Sequence, residues 1–133
     1  MKILTNRRIA TWFCCILAFV FNAGCGPNVK QAGPLNPNVA KDALKKTLDA
    51  WQNGKSIEEL EKGSPSIVAQ DVDWIKGAKL ARYEILADGS KDEANLRCPV
   101  KLILKDPMGQ EVPKNVTYII STDPKVTVFR EVM

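Results

Sequence analysis

The groups with which this sequence could do chemistry are few, and what is missing narrows them further. No histidine occurs among the 133 residues, so serine or cysteine nucleophiles paired with imidazole, and metal sites built on histidine, are excluded. Four cysteines remain. Cys14 and Cys15 lie inside the apolar run Ile9–Phe21, Cys25 stands just beyond its end, and Cys98 is alone in the body of the chain. Cys98 alternates with Leu96, Val100 and Leu102, the pattern of a buried small hydrophobe, and no neighbouring histidine exists to activate its thiol. For acid–base work the candidates are Asp71 and Asp73, close to Trp74, and the two tyrosines, Tyr83 and Tyr118. The aspartates read as a solvated loop and the tyrosines as core residues with bonded hydroxyls. No metal or cofactor is implied.

That leaves Cys25, whose surroundings concern address. Lys2, Arg7 and Arg8 precede the run Ile9–Phe21, and Asn22, Ala23 and Gly24 follow it, which is the charged, apolar and small-residue order of an export signal. A permanent transmembrane helix needs about 20 apolar residues, and this run is shorter. The net charge of +4 owes three charges to Lys2, Arg7 and Arg8; the rest of the 19 basic residues nearly balance 15 acidic ones, so no field favours nucleic acid. The thiol directly after Ala23-Gly24 resembles the lipobox of bacterial lipoproteins, although Asn22 stands where that family usually has an aliphatic residue. The resemblance implies cleavage of residues 1–24 and acylation of Cys25, which would hold the chain on membrane lipid at the extracytoplasmic face of the cell envelope. Each buried methylene contributes roughly 0.8 kcal/mol to such anchoring. Residues 25–38, rich in proline, glycine and asparagine, read as a flexible tether.

The body, residues 39–133, must position whatever remains. Behind Asn38, read as a helix cap, Ala40, Ala43, Leu44, Thr47, Leu48 and Trp51 recur at helical spacing, and Gly54 ends the segment. Ser56 and Glu59 form a capping box for a short second helix ending at Gly63. Residues 64–78 resist assignment beyond a possible short strand at Ile67–Ala69. From Lys79 to Ala87 the pattern is that of a strand with Ala81, Tyr83, Ile85 and Ala87 inward. Leu96, Cys98, Val100, Leu102 and Leu104 then form one face of a clearer strand. Asp106–Gly109 fits a three-residue hairpin loop that sets Leu104 opposite Val112, Val100 opposite Val116, Cys98 opposite Tyr118 and Leu96 opposite Ile120. Lys114, opposite Leu102, is the one position out of pattern. A similar turn at Asp123-Pro124 places Ile120 opposite Val128 and Val116 opposite Val132. The expected fold is α+β: two helices packed on a four-stranded antiparallel meander.

That order, with Trp51-Gln52-Asn53-Gly54, Asp73-Trp74, Gly77, Leu80 and Tyr83, resembles the cystatin-like and nuclear-transport-factor-two-like rolls. The resemblance implies either a binding module or a cone-pocket isomerase or dehydratase. The inward strand positions are apolar apart from Lys114, which favours the binding module. A cystatin-type inhibitor loop is matched by Gln110 and Val112 alone, since Lys114 replaces its glycine. On the outer face Arg97, Lys101 and Lys105 lie in one row, suited to lipid head groups or acidic glycans. Ile119 beside Phe129 forms an apolar pair suited to a protein partner or to self-association. The reading is therefore a non-enzymatic, lipid-anchored binding or structural domain.

Overall fold

A computed structural model describes residues 33–132; the expected signal segment, Cys25 and most of the tether lie outside the described residues. The elements run α1 (Pro37–Gln52), α2 (Ile57–Glu61), β1 (Ile67–Gln70), α3 (Val72–Ile75), β2 (Lys79–Ile85), β3 (Ser90–Asp92), β4 (Asn95–Lys105), β5 (Glu111–Ser121) and β6 (Val126–Arg130). Among the described residues no helix is long and apolar enough to cross a membrane.

Helix α1 begins earlier than its apolar stripe suggests. Asn36, not Asn38, is the cap: its side chain accepts a hydrogen bond from the Val39 N–H at 3.2 Å. Pro37 takes the first helical position, where a missing N–H costs nothing. Just before the cap, Leu35 is only 8 % exposed and joins the core, while the Asn36 N–H donates to Thr122 Oγ1. The expected tether therefore stops short of residue 38, because one buried leucine outweighs the proline-rich composition around it. The stripe of Ala40, Ala43, Leu44, Thr47, Leu48 and Trp51 is buried as its spacing requires, and Trp51 Nε1 donates to the Ala78 carbonyl at 2.8 Å. Both hydrogen bonds of the Ser56–Glu59 capping box form. Helix α2 nevertheless buries no side chain fully and contributes only Leu60 to the edge of the core, so the helical layer is largely α1.

The β4–β5 hairpin has the register expected from its loop, with Leu104, Val100, Cys98 and Leu96 opposite Val112, Val116, Tyr118 and Ile120. The Asp106 N–H donates to the Gln110 carbonyl at 2.9 Å. Gly109 has φ of 81°, the left-handed conformation that this loop demands and glycine adopts without a Cβ penalty. Ile120 pairs with Val128 as expected, but the β5–β6 ladder ends at Tyr118 and Arg130. Val132 leaves the sheet and is 85 % exposed, so its expected pairing with Val116 does not form.

A four-stranded antiparallel meander is not what forms. Six strands make one mixed sheet in the order β1-β6-β5-β4-β2, with β3 also on β4, and β1 runs parallel to β6. The architecture is a roll-like α+β fold with a curled sheet. In β2 the alternation breaks at a register shift between Leu80 and Arg82. Leu80 pairs with Leu104 and Tyr83 with Leu102, so both face the core, whereas simple alternation puts Ala81 there. One extra residue in a strand is enough to reverse its inward set. Leu44 and Leu48 of α1 meet Val100, Leu102, Tyr118, Ile120, Val128 and Ile67 in a single core.

Because Leu44 is fully buried in that core, Leu44→Ala should destabilise the fold by about 2–5 kcal/mol. Ile75→Ala, at an exposed position, should stay within about 0.5 kcal/mol. Urea unfolding of the two variants checks both values.

Candidate functional site

Asp71, expected in a solvated loop, is 2 % exposed. It follows β1 directly, so alternation turns it inward after Ile67 and Ala69, and it caps the one-turn helix α3. Asp71 Oδ1 accepts hydrogen bonds from the N–H groups of Asp73 (2.8 Å) and Trp74 (3.1 Å) and from Arg130 Nη1 (3.3 Å). Its Oδ2 accepts from the Tyr118 hydroxyl at 2.6 Å. Asp73 in turn accepts from Arg130 Nη1 and from Lys114 Nζ, the latter at 2.9 Å. Two carboxylates thus meet two cations where β1, α3, β5 and β6 converge. Lys114, the residue out of pattern in the hairpin, is explained: its inward position carries a charge because Asp73 waits there.

A carboxylate offers roughly four acceptor sites, and those of Asp71 meet two backbone N–H groups, a guanidinium and a phenol. Three of these bonds fall on Oδ1 and one on Oδ2, so the carboxylate is fixed in place as a buried structural group. Burial pushes the Asp73 carboxyl up, but hydrogen bonds and charge from Arg130 and Lys114 outweigh it and hold the group below its ordinary 3.8. For Arg130, burial acts against the charged form and is overcome by the hydrogen bond from its guanidinium to Asp73 and the charges of both aspartates. Burial first, then the Asp71 carboxylate, pushes the Tyr118 hydroxyl far up, and Tyr83 is raised by burial and by donating to Asp49 Oδ1 at 2.6 Å. Both hydroxyls are bonded as expected; Tyr118 is a core residue, and Tyr83 packs half-buried against the core. Among the described residues no buried side-chain nitrogen or oxygen lacks a partner. Cys98 is buried, its thiol faces the Ala87 carbonyl at 3.4 Å, and burial raises its pKa, so it is a packing residue.

The outer-face residues fall into separate environments. Ile119 lies directly opposite Phe129, as inferred from the turn, and Phe129 remains 39 % exposed. Arg97 pairs in register with Ile119, but its guanidinium is bound to Glu131 at 2.6 and 2.7 Å and approaches Asp92 at 3.5 Å. Lys101 stands between Glu84 and Asn115 in register, while Lys105 stands between Lys79 and Glu111. The row of Arg97, Lys101 and Lys105 is therefore not one cationic stripe. Concave space is open to the surface: a cleft of about 240 Å³ beside Arg130, Lys114 and Val72, and a larger one of about 690 Å³ between the α3–β2 turn and the β4–β5 hairpin.

No protein-family model matches the chain, and no curated protein and no solved structure is significantly similar to it.

Removing Arg130 strands two carboxylates beside one lysine, and breaking a buried ion pair in this way costs about 3–5 kcal/mol. Arg130→Leu should lose that much stability at neutral pH. Because the folded-state pKa of Asp73 is depressed, its contribution is present above 3.8 and disappears as pH falls through the lower folded value. The difference between wild type and variant should accordingly shrink below pH 3.8, which denaturant titrations across the acid range will measure.

The tyrosines give an alkaline counterpart. With both folded-state pKa values raised above 10.0, stability falls as pH climbs past the unfolded value. Tyrosinate absorbance should stay absent from the folded chain near that pH and appear together with unfolding.

Proposed function

We propose that this chain is a bacterial lipoprotein, held at the extracytoplasmic face of the cell envelope through acylated Cys25, whose body is a non-enzymatic binding or structural domain. The observation that carries the non-enzymatic half is the structural engagement of Asp71, which is buried, caps α3 and pairs with Arg130 and Tyr118. A cone-pocket enzyme needs a carboxyl group free to exchange a proton with something bound in an enclosed cavity. Here the inward carboxylate is consumed by Tyr118, Arg130 and the α3 backbone, and the interior around it is filled by Tyr118, Leu44 and Leu48. The helix-then-sheet order also supports the cystatin-like and nuclear-transport-factor-two-like resemblance, with β1 as an added parallel edge. The anchoring half rests on the charged, apolar and small-residue order that ends at Cys25. The partner surface that this reading favours is the outer face around Ile119 and Phe129, where an apolar pair stays accessible beside the neutralised Arg97.

Two substitutions separate the halves of the proposal in the native cell. Cys25→Ala should move the chain from the membrane fraction to the soluble extracytoplasmic fraction and remove the acyl mass increment from the intact protein. Phe129→Asp should leave fractionation unchanged and abolish the crosslinked species formed by the wild type. Unmodified Cys25 in the wild-type chain would sink the anchoring half, and persistence of the crosslink in the Phe129 variant would sink the partner surface.

A further inference from the structure

Strand β5 outruns its neighbour β6. The ladder between them ends at Tyr118 and Arg130, and the last bond on that side runs from the Glu131 N–H to the Thr117 carbonyl at 2.8 Å. Beyond Glu131 no described residue pairs with β5 on this side, although β5 continues back to Glu111 and stays paired with β4 along its other side. All five residues from Glu111 to Asn115 are exposed. In an antiparallel strand the backbone N–H and C=O groups of successive residues point to alternate sides. Thr117 directs its carbonyl toward β6, so Asn115, Pro113 and Glu111 direct theirs to the same edge, where they meet no strand. Such a row of unpaired groups is a template for a further strand. Pro113 stands at its middle and has no N–H to offer. By the same alternation its missing donor takes nothing from the pairing with Ile103 on β4. The edge strands β1 and β2 are attended by helices instead, α2 packing on β1 and Gln52 of α1 donating to the Ala81 carbonyl of β2 at 3.1 Å.

We propose that Pro113 blocks self-association at this edge, keeping the open half of β5 from pairing with the same segment of a second copy of the chain. Two such edges meet antiparallel about a twofold axis, and residues that face the edge must then pair with residues that face it. Three registers are centred within the open segment. With the axis at Pro113, Glu111 pairs with Asn115 of the second copy, and the two prolines face one another where two hydrogen bonds belong. With the axis at Val112, each Glu111 meets a Pro113 and each pairing lacks one donor. With the axis at Lys114, each Asn115 meets a Pro113 with the same loss, and two lysines stand directly opposite, which adds like-charge repulsion. Every register therefore lacks two hydrogen bonds because of one residue at the centre of the segment. The inference concerns the edge of the sheet, so it is independent of Cys25 and of the face that carries Ile119 and Phe129.

Sedimentation equilibrium and amide hydrogen exchange on the full chain are the test, in a Cys25→Ala and Phe129→Asp background that removes the other two routes to association. With Pro113 in place the chain should stay monomeric to millimolar concentration. The amides of Glu111 and Asn115 should exchange fast, while those of Val112 and Lys114, which face β4, are protected. Pro113→Thr restores the donor and should tighten self-association at least about tenfold, as two added hydrogen bonds require. Its dimer should protect the amides at positions 111, 113 and 115. Asn115→Thr introduces the same side chain on the same edge and leaves Pro113 in place, so it should remain monomeric. A Pro113→Thr chain that stays monomeric, slow exchange of the Asn115 amide with Pro113 present, a dimer that leaves positions 111 and 115 unprotected, or equal dimerisation of Asn115→Thr would each overturn the assignment.

Discussion

The Asp71 carboxylate is the constraint on which the rest of this architecture depends. It lies at the junction of a four-residue strand and a one-turn helix, two elements too short to hold themselves in place. Through the backbone bonds to Asp73 and Trp74 it sets α3; through Tyr118 and Arg130 it ties that junction to β5 and β6. Trp74 is thereby delivered onto Trp51 of α1, with ring centroids 5.4 Å apart and planes 7° from parallel. Such stacking contributes about 0.5–1.5 kcal/mol beyond burial. Strand, strap and helix are locked together around one side chain.

Net stability is a weak explanation for that arrangement. Desolvating charges costs several kcal/mol per ion, and close pairing with saturated hydrogen bonds does little more than offset it. Specificity accounts better for the charges. Ile67 and Ala69 supply little apolar pattern with which to choose a sheet edge, whereas an unpaired Asp71 or Arg130 would be heavily penalised in any alternative pairing. A charged lock on a short parallel strand therefore excludes wrong registers more than it deepens the right one.

What was legible in the sequence follows from element length. The long hairpin could be read to the residue because its loop and eleven-residue strands constrain each other, and the buried face of α1, though not its start, because its stripe runs over about three turns. Strand β1 was too short to show a decisive period, and β3 is a wholly exposed Ser-Lys-Asp segment with no apolar pattern. The bulge in β2 left no mark in composition, so Leu80 and Ala81 exchanged roles unseen. One signal of the buried network was present: Lys114 broke an otherwise consistent inward set. A cation at an inward position implies an anion from elsewhere, and Asp73 lies in the segment whose structure was hardest to assign.

The same helix separates the charges that folding uses from those it leaves over. At its start, Asp71 and Asp73 meet Arg130 and Lys114 in balanced pairs, with Asp71 and Arg130 buried and Lys114 at the surface. At its end, Lys76 forms no ion pair among the described residues. A cation neutralised within the fold has little left with which to attract a ligand, as the pairing of Arg97 with Glu131 illustrates on the outer face. The described lysines that form no ion pair are spread from Lys45 on α1 through Lys101 on β4 to Lys125 before β6, so they single out no one face for an external anion.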